Sequence, residues 1–169
     1  MNYTNIILVL TVTATALITG LYYAYSCSVN PGLGHLPDAQ YISAMRSINI
    51  AIQNPVFFAS FMGTLILLPL SAYLSYHTGN NPRFILLLLA SAFYIIGSFG
   101  VTAAGNVPLN NALDAFNPDM ATAEAISNAR QAFEARWNSL HTIRTLASLA
   151  ALVLSVMACL SPAARTVAD

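Results

Sequence analysis

Three side chains able to handle charge enter the last apolar run of the chain together. Trp137, His141 and Arg144 stand four and three residues apart in ARWNSLHTIRT, just ahead of LASLAALVLSVMACL. An imidazole exchanges a proton near neutral pH, a guanidinium holds an oxyanion through several N–H donors, and an indole stacks on a flat partner. A second segment, GNVPLNNAL, sets the amides of Asn106 and Asn110 one helical turn apart. Neutral amides of this kind add donors to a developing oxyanion. A third set comes from an expected helix over Pro37 to Gln53, with Asp38 as its cap. Its Arg46, Asn49 and Gln53 share one face at i, i+3 and i+7.

Other chemistries lack their signatures. There is no glycine pattern for a nucleotide loop and no HxxxH, HxxE or CxxC pair. A metal shared by His35 and His141 has no support from spacing, so no metal site is expected.

The elements that must position these groups follow from composition. The chain has 169 residues, 57% hydrophobic and 7% charged, against about 25% charged in soluble domains. Mean hydropathy is +0.64. It has no lysine, and six arginines balance six acids, so a nucleic-acid partner is not expected. Four uncharged or nearly uncharged runs of about 20 residues suit a bilayer core: about 6–25, 56–76, 84–104 and 140–160. The reading is an all-α membrane protein, one four-span domain over 1–169. Two long, partly helical connections lie on one face, roughly Ser26 to Asn54 and Gly105 to Asn138. MNYTNIILVL has no basic start, so the first run is expected to remain in the mature chain. The plasma (inner) membrane is the expected location. Loop arginines divide almost evenly, Arg83 and Arg165 against Arg46, Arg130 and Arg136, with a lean towards both termini inside. Cys27 and Cys159 fall at opposite sides and are expected to be unbridged small fillers.

Within the spans, Thr11, Thr15 and Thr19 form a small polar stripe, and Ser60, Gly63, Thr64, Gly97, Gly100 and Ala104 allow close helix approach. Asn54–Pro55 and Asn81–Pro82 open the second and third spans, and Pro69 marks a possible kink. Neither Pro nor Gly occurs from Met120 to Ser161, so one helix is expected from near Thr122 through the fourth span. On that helix Ile126, Phe133 and Trp137 make a stripe that continues through Arg144, then Ser148, Ala151, Ser155 and Ala158, with His141 beside it. Leu146, Leu149, Val153, Val156 and Leu160 face lipid. Arg144 then points inward about one turn below the interface, where an unpaired guanidinium is costly. The alternative is that it snorkels and anchors the helix end, with Trp137, Tyr22, Tyr23, Tyr25 and Tyr41 as an interfacial belt.

GNVPLNNAL followed by ARWNSLHTIRT leading into the last span resembles the DUF1772, or anthrone oxygenase-like, membrane family. So do NPGL after the first span, the Arg46 helix and NP before the second. The resemblance implies an oxidoreductase, a monooxygenase that turns an anthrone-like aromatic into a quinone with molecular oxygen and no evident cofactor. In this reading His141, Arg144 and Asn106 are catalytic. His141 is the base, and Arg144 with Asn106 and Asn110 holds the oxyanion. Trp137, Asn110, Arg46, Asn49 and Gln53 bind the substrate. The expected partners are a planar aromatic or quinone-like molecule and the lipid bilayer, with a homo-oligomer open. Non-enzymatic readings are a four-span scaffold or accessory subunit, or a lipid- or quinone-binding protein. A transporter ranks lowest, since no Asp, Glu or Lys occurs in any span.

Overall fold

A computed structural model describes residues 3–161; Arg165 and Asp169 lie outside the described residues. Four helical rods run up and down. The first joins α1 (Tyr3–Ala24), a π-helical turn (Tyr25–Val29) and α2 (Asn30–Gly34). A short helix, α3 (Asp38–Ala51), leads to the second rod, α4 (Pro55–His77). The third joins α5 (Asn81–Ala92), two π-helical stretches (Phe93–Gly100 and Thr102–Asn106) and α6 (Val107–Ala115). After a 3₁₀ turn at Pro118–Met120, α7 (Ala123–Leu160) forms the fourth. The rods Tyr3–Gly34, Pro55–His77, Asn81–Ala115 and Ala123–Leu160 are each long and apolar enough to cross a membrane. No strand occurs among the described residues.

The two long connections on one face are shorter than expected, because the first and third rods continue beyond the expected spans. Proline allows this where the preceding turn is widened. Its ring clashes with the carbonyl four residues back and it has no N–H to give. Just before Pro31, the Asn30 N–H reaches the Tyr25 carbonyl. Just before Pro108, the Val107 N–H reaches the Thr102 carbonyl. Both bonds span five residues rather than four, the π-helical spacing. Each wide turn rotates the helix that follows. The stretch Ser26 to Asn54 is therefore mostly helix, and the second connection shrinks to residues 116–122.

Capping follows the sequence in most places. Asn54 accepts from Phe57 N with Pro55 at the first helical position, and Thr122 accepts from Ala125 N to start α7. For α5 the cap is Asn80, accepting from Arg83 N, one residue ahead of the expected Asn81. Gly79, at φ 71°, makes the tight turn before it, a left-handed conformation that favours glycine. Asp38 does not cap α3. Arg130 draws its carboxylate away at 3.0 Å. The same guanidinium donates to the carbonyls of Leu36 (2.7 Å) and Gly34 (3.0 Å), pairs with Glu134 (2.8 Å) and lies over the Tyr41 ring. One side chain thus fastens the α2–α3 corner onto α7.

Around the bundle, α1 and α5 each pack on both α4 and α7. The threonine stripe of α1 is buried: Thr11 shares a hydrogen bond with Ser71 at 2.7 Å, and Thr19 donates to the Ser148 carbonyl. In lipid such contacts replace the hydrophobic drive that joins helices in water. Gly97 lets the third rod meet the fourth at Ala147, and Gly105 rather than Ala104 admits Leu140. Arg83 closes the opposite end by donating to the carbonyls of Ala158 and Ser161. Cys27 and Cys159 are free, and both are exposed instead of filling the core.

Two apolar clusters result. One lies within the membrane around Ile18, Leu68, Leu87 and Tyr94. The other lies above it around Tyr41, Ile42, Met45, Leu113, Phe133 and Trp137.

Candidate functional site

Where the two clusters meet, α7 turns His141 and Arg144 inward. They are 2% and 8% exposed, so Arg144 does not snorkel. Leu146, Leu149, Val153, Val156 and Leu160 take the opposite, exposed face, as the angular reading requires. Among the described residues no carboxylate pairs with Arg144: the ion pairs present belong to Arg46 and Arg130. The guanidinium instead lies 4.5 Å from the centroid of Tyr22 and 5.0 Å from that of Trp137. Electron-rich ring faces partly offset a desolvated cation. Its Nε and Nη2 both donate to His141 Nδ1, at 3.2 and 3.1 Å, and Nη1 points at Thr102 Oγ1 at 3.5 Å.

Those bonds define the imidazole. A guanidinium only donates, so Nδ1 carries the lone pair and the ring proton is on Nε2. On that side Ser26 Oγ lies at 3.0 Å and Thr145 Oγ1 at 3.4 Å. Both hydroxyls give their own protons to carbonyls one turn back, of Tyr22 and His141 respectively. They are left as acceptors for Nε2–H. The ring also stacks on Trp137, 5.2 Å between centroids and 9° from parallel, and Trp137 in turn stacks on Phe133.

The two asparagines hold Trp137, one at its indole and one at its backbone. Trp137 Nε1 donates to Asn110 Oδ1 at 2.8 Å, and Asn106 Nδ2 donates to the Trp137 carbonyl at 3.3 Å. Asn106 is 1% exposed and its Oδ1 has no hydrogen-bond partner among the described residues. A buried acceptor left unmatched costs about 1–3 kcal/mol. Trp137, His141, Arg144, Asn106 and Asn110 therefore form one connected group.

Arg46, Asn49 and Gln53 sit elsewhere. Arg46 pairs with Asp114 at 3.2 Å and donates to the Phe116 carbonyl, bracing α3 against the end of α6. Gln53 is exposed and donates to the Asn49 carbonyl. Arg46 reaches α6, Gln53 only its own helix, and the buried Asn49 Nδ2 has no hydrogen-bond partner among the described residues; none of these contacts is to His141 or Arg144. Conversely, Tyr22, Ser26 and Thr102 belong to the group without having been singled out for it. Tyr22 and Tyr41 are each 3% exposed and are not belt residues, whereas Tyr23, at 66%, faces outward. The i, i+4 spacings Tyr22–Ser26 and Thr102–Asn106 were the available signal.

Two apolar cavities accompany the site without including His141 or Arg144 in their walls. A groove of about 570 Å³ lies between the third and fourth rods, with Gly97 and Ala147 in its lining, beside Phe93, Ile96, Ile143 and Leu146. A pocket of about 220 Å³ lies between α6 and α7, lined by Leu109, Leu113, Phe116 and Phe133 among others. Among the described residues no three of His, Cys, Asp and Glu gather at metal-binding range. His35 bonds the Pro31 carbonyl, and His77 lies edge-on to Tyr73 at the far end of α4.

No curated protein and no solved structure matches the chain. A family model described as anthrone oxygenase matches residues 56–154, more than half of the sequence. That stretch holds Thr102, Asn106, Asn110, Trp137, His141 and Arg144, and by this match the chain belongs to the anthrone oxygenase family.

Proposed function

We propose that this protein is a membrane-embedded monooxygenase that converts a planar aromatic ketone with an acidic methylene, an anthrone-type substrate, into the quinone. Molecular oxygen is the co-substrate, and neither a metal nor an organic cofactor takes part. The observation that carries the reading is Arg144: a buried guanidinium, free of any carboxylate partner among the described residues, held against a neutral imidazole and aromatic rings. Such a cation is expensive to keep at membrane depth unless it meets an anion during function.

The chemistry needs few groups. The substrate's ketone oxygen takes N–H donors of Arg144, which releases the lone pair of His141 Nδ1. That nitrogen removes a methylene proton, and Arg144 stabilises the enolate. The enolate gives one electron to oxygen. The resulting carbon radical and superoxide combine at the former methylene carbon, giving a peroxide anion that takes the proton held on His141 to become a hydroperoxide. Loss of its remaining C–H proton and cleavage of the O–O bond, with departure of water, leave the second carbonyl. One oxygen atom enters the product and the other becomes water. Trp137 offers a flat surface beside the reacting ring, and an apolar substrate reaches the site from the bilayer.

The test is anthrone added to purified protein under ¹⁸O₂, following oxygen uptake and label in the anthraquinone. One labelled oxygen per product, with turnover reduced in His141→Ala and Arg144→Ala variants that remain folded, supports the assignment. Saturable binding without oxygen uptake would leave a lipid- or quinone-binding protein. Turnover unchanged in both variants would move the chemistry elsewhere.

A further inference from the structure

A base in this position faces an electrostatic difficulty. A proton taken up at Nδ1 while Nε2–H is retained would set an imidazolium beside the guanidinium, two cations at contact distance. We propose that Ser26 removes the difficulty: it accepts the Nε2 proton as Nδ1 gains one, so that His141 changes tautomer and stays neutral throughout. This inference rests on the reaction proposed above and adds a residue and a proton exit to it.

Three observations carry it. First, the bonding around His141 is one-directional: two N–H groups of Arg144 on Nδ1, and two hydroxyl acceptors on Nε2. The ring is thus a bridge between a buried end and an outer end. Second, the outer end reaches the surface. Ser26 is exposed, whereas His141 is buried, and it lies one residue past the apolar run 6–25, at the end of the first span. Third, Ser26 lies in the π-helical turn Tyr25–Val29. That wide turn, set just before Pro31, aims its hydroxyl at α7.

Protons balance over the cycle. In deprotonating the substrate, Nδ1 gains a proton and Nε2 gives one to Ser26 Oγ, whose own proton passes to water. That Nδ1 proton then goes to the peroxide anion, giving the hydroperoxide, and Nε2 is refilled through Ser26. With its lone pair free again, Nδ1 takes the remaining C–H proton and passes it to the departing hydroxide, while Nε2 again gives and regains one through Ser26. No extra redox equivalent is needed beyond the oxygen already named. The ionisable groups facing His141 are Arg144 on α7 and Tyr22 and Tyr25 on the first rod. No carboxylate faces it among the described residues, so Ser26 is the polar outlet.

Two isosteric variants separate the hydroxyl from its shape: Ser26→Thr keeps the group, and Ser26→Val fills the same space without it. In a His35→Gln, His77→Gln background His141 is the single histidine, and ¹⁵N NMR of its ring reads the tautomer without any substrate. The expected spectrum has a pyridine-type Nδ1 and a pyrrole-type Nε2. Exchange of Nε2–H with water should slow by about tenfold or more in Ser26→Val and change less than about twofold in Ser26→Thr. Anthrone turnover should follow the same order, with an enlarged solvent isotope effect in the valine variant. A pyrrole-type Nδ1, or equal exchange rates in the two variants, overturns the relay. If wild-type protein fails to turn over anthrone while the NMR results hold, the substrate assignment fails and the Ser26 outlet stands.

Discussion

Gly97 and Ala147 meet so closely that a Cβ at position 97 would lie 2.5 Å from the Cβ of Ala147. Next to this contact Ser148 donates to Ser98 at 2.8 Å, and Thr102, one turn on from Ser98, points at Arg144. Backbone spacing between the third and fourth rods therefore sets the depth at which the guanidinium finds its neighbours. Gly97→Ala should force the rods apart, at a cost of about 1–3 kcal/mol. Adding Ala147→Gly returns the missing volume and should restore most of the loss, a coupling that thermal unfolding of the double-mutant cycle measures.

Arg144→Met should separate stability from activity. The substitution removes a desolvated cation and leaves an apolar side chain of similar length, and such replacements are often neutral or stabilising. Against this stand the unpaired Nδ1 of His141, about 1–3 kcal/mol, and the lost contacts of the guanidinium with Tyr22, Trp137 and Thr102. The melting temperature should hold or rise, while turnover falls by about 10²-fold or more, as for loss of an oxyanion donor. A large drop in melting temperature would instead make Arg144 a structural brace.

Tyr41 gives the alkaline side of the stability profile. Its phenol is buried under Arg130, outside the spans, and burial pushes its ionisation well above the ordinary value of 10.0. The nearby Glu134 carboxylate pushes the same way, and Arg130 opposes both. The folded state therefore holds a proton that the unfolded chain gives up near pH 10. This contribution is complete below that pH and is lost as pH rises towards the folded value. Unfolding midpoints should fall above about pH 10, and Tyr41→Phe should flatten that limb.

Trp137 is the sole tryptophan, so intrinsic fluorescence reports directly on the site. Its 2% exposure predicts blue-shifted emission. A planar aromatic ketone should quench it saturably in wild type and much less in Arg144→Met. Asn110→Leu removes the acceptor of the indole N–H and should loosen the ring, seen as a lower emission anisotropy. Quenching that scales only with ligand partitioning into detergent, equal in all variants, would rule out a specific guest.

Much of this architecture was legible in the order of residues. Length and hydropathy alone mark four spans. The absence of Pro and Gly from Met120 to Ser161 makes α7 one helix, and helical periodicity then puts Trp137, His141 and Arg144 on its inner face. The resemblance to the anthrone oxygenase family rested on the same segments. What periodicity cannot supply is phase across a break in regularity. The π-helical turns before Pro31 and Pro108 each insert a wide turn, and residues beyond them face directions that a 3.6-residue period does not predict. Ser26, inside the first of them, was therefore missed, Tyr22 on the regular helix before it was read only as an interfacial belt residue, and Arg46, Asn49 and Gln53 were given to a site that none of their described contacts reaches. Partner choice among charges was equally beyond one dimension. Asp38 looks like a cap until Arg130, 92 residues on, takes its carboxylate. The tautomer of His141 was decided only when a donor on one rod and acceptors on two were folded around one ring.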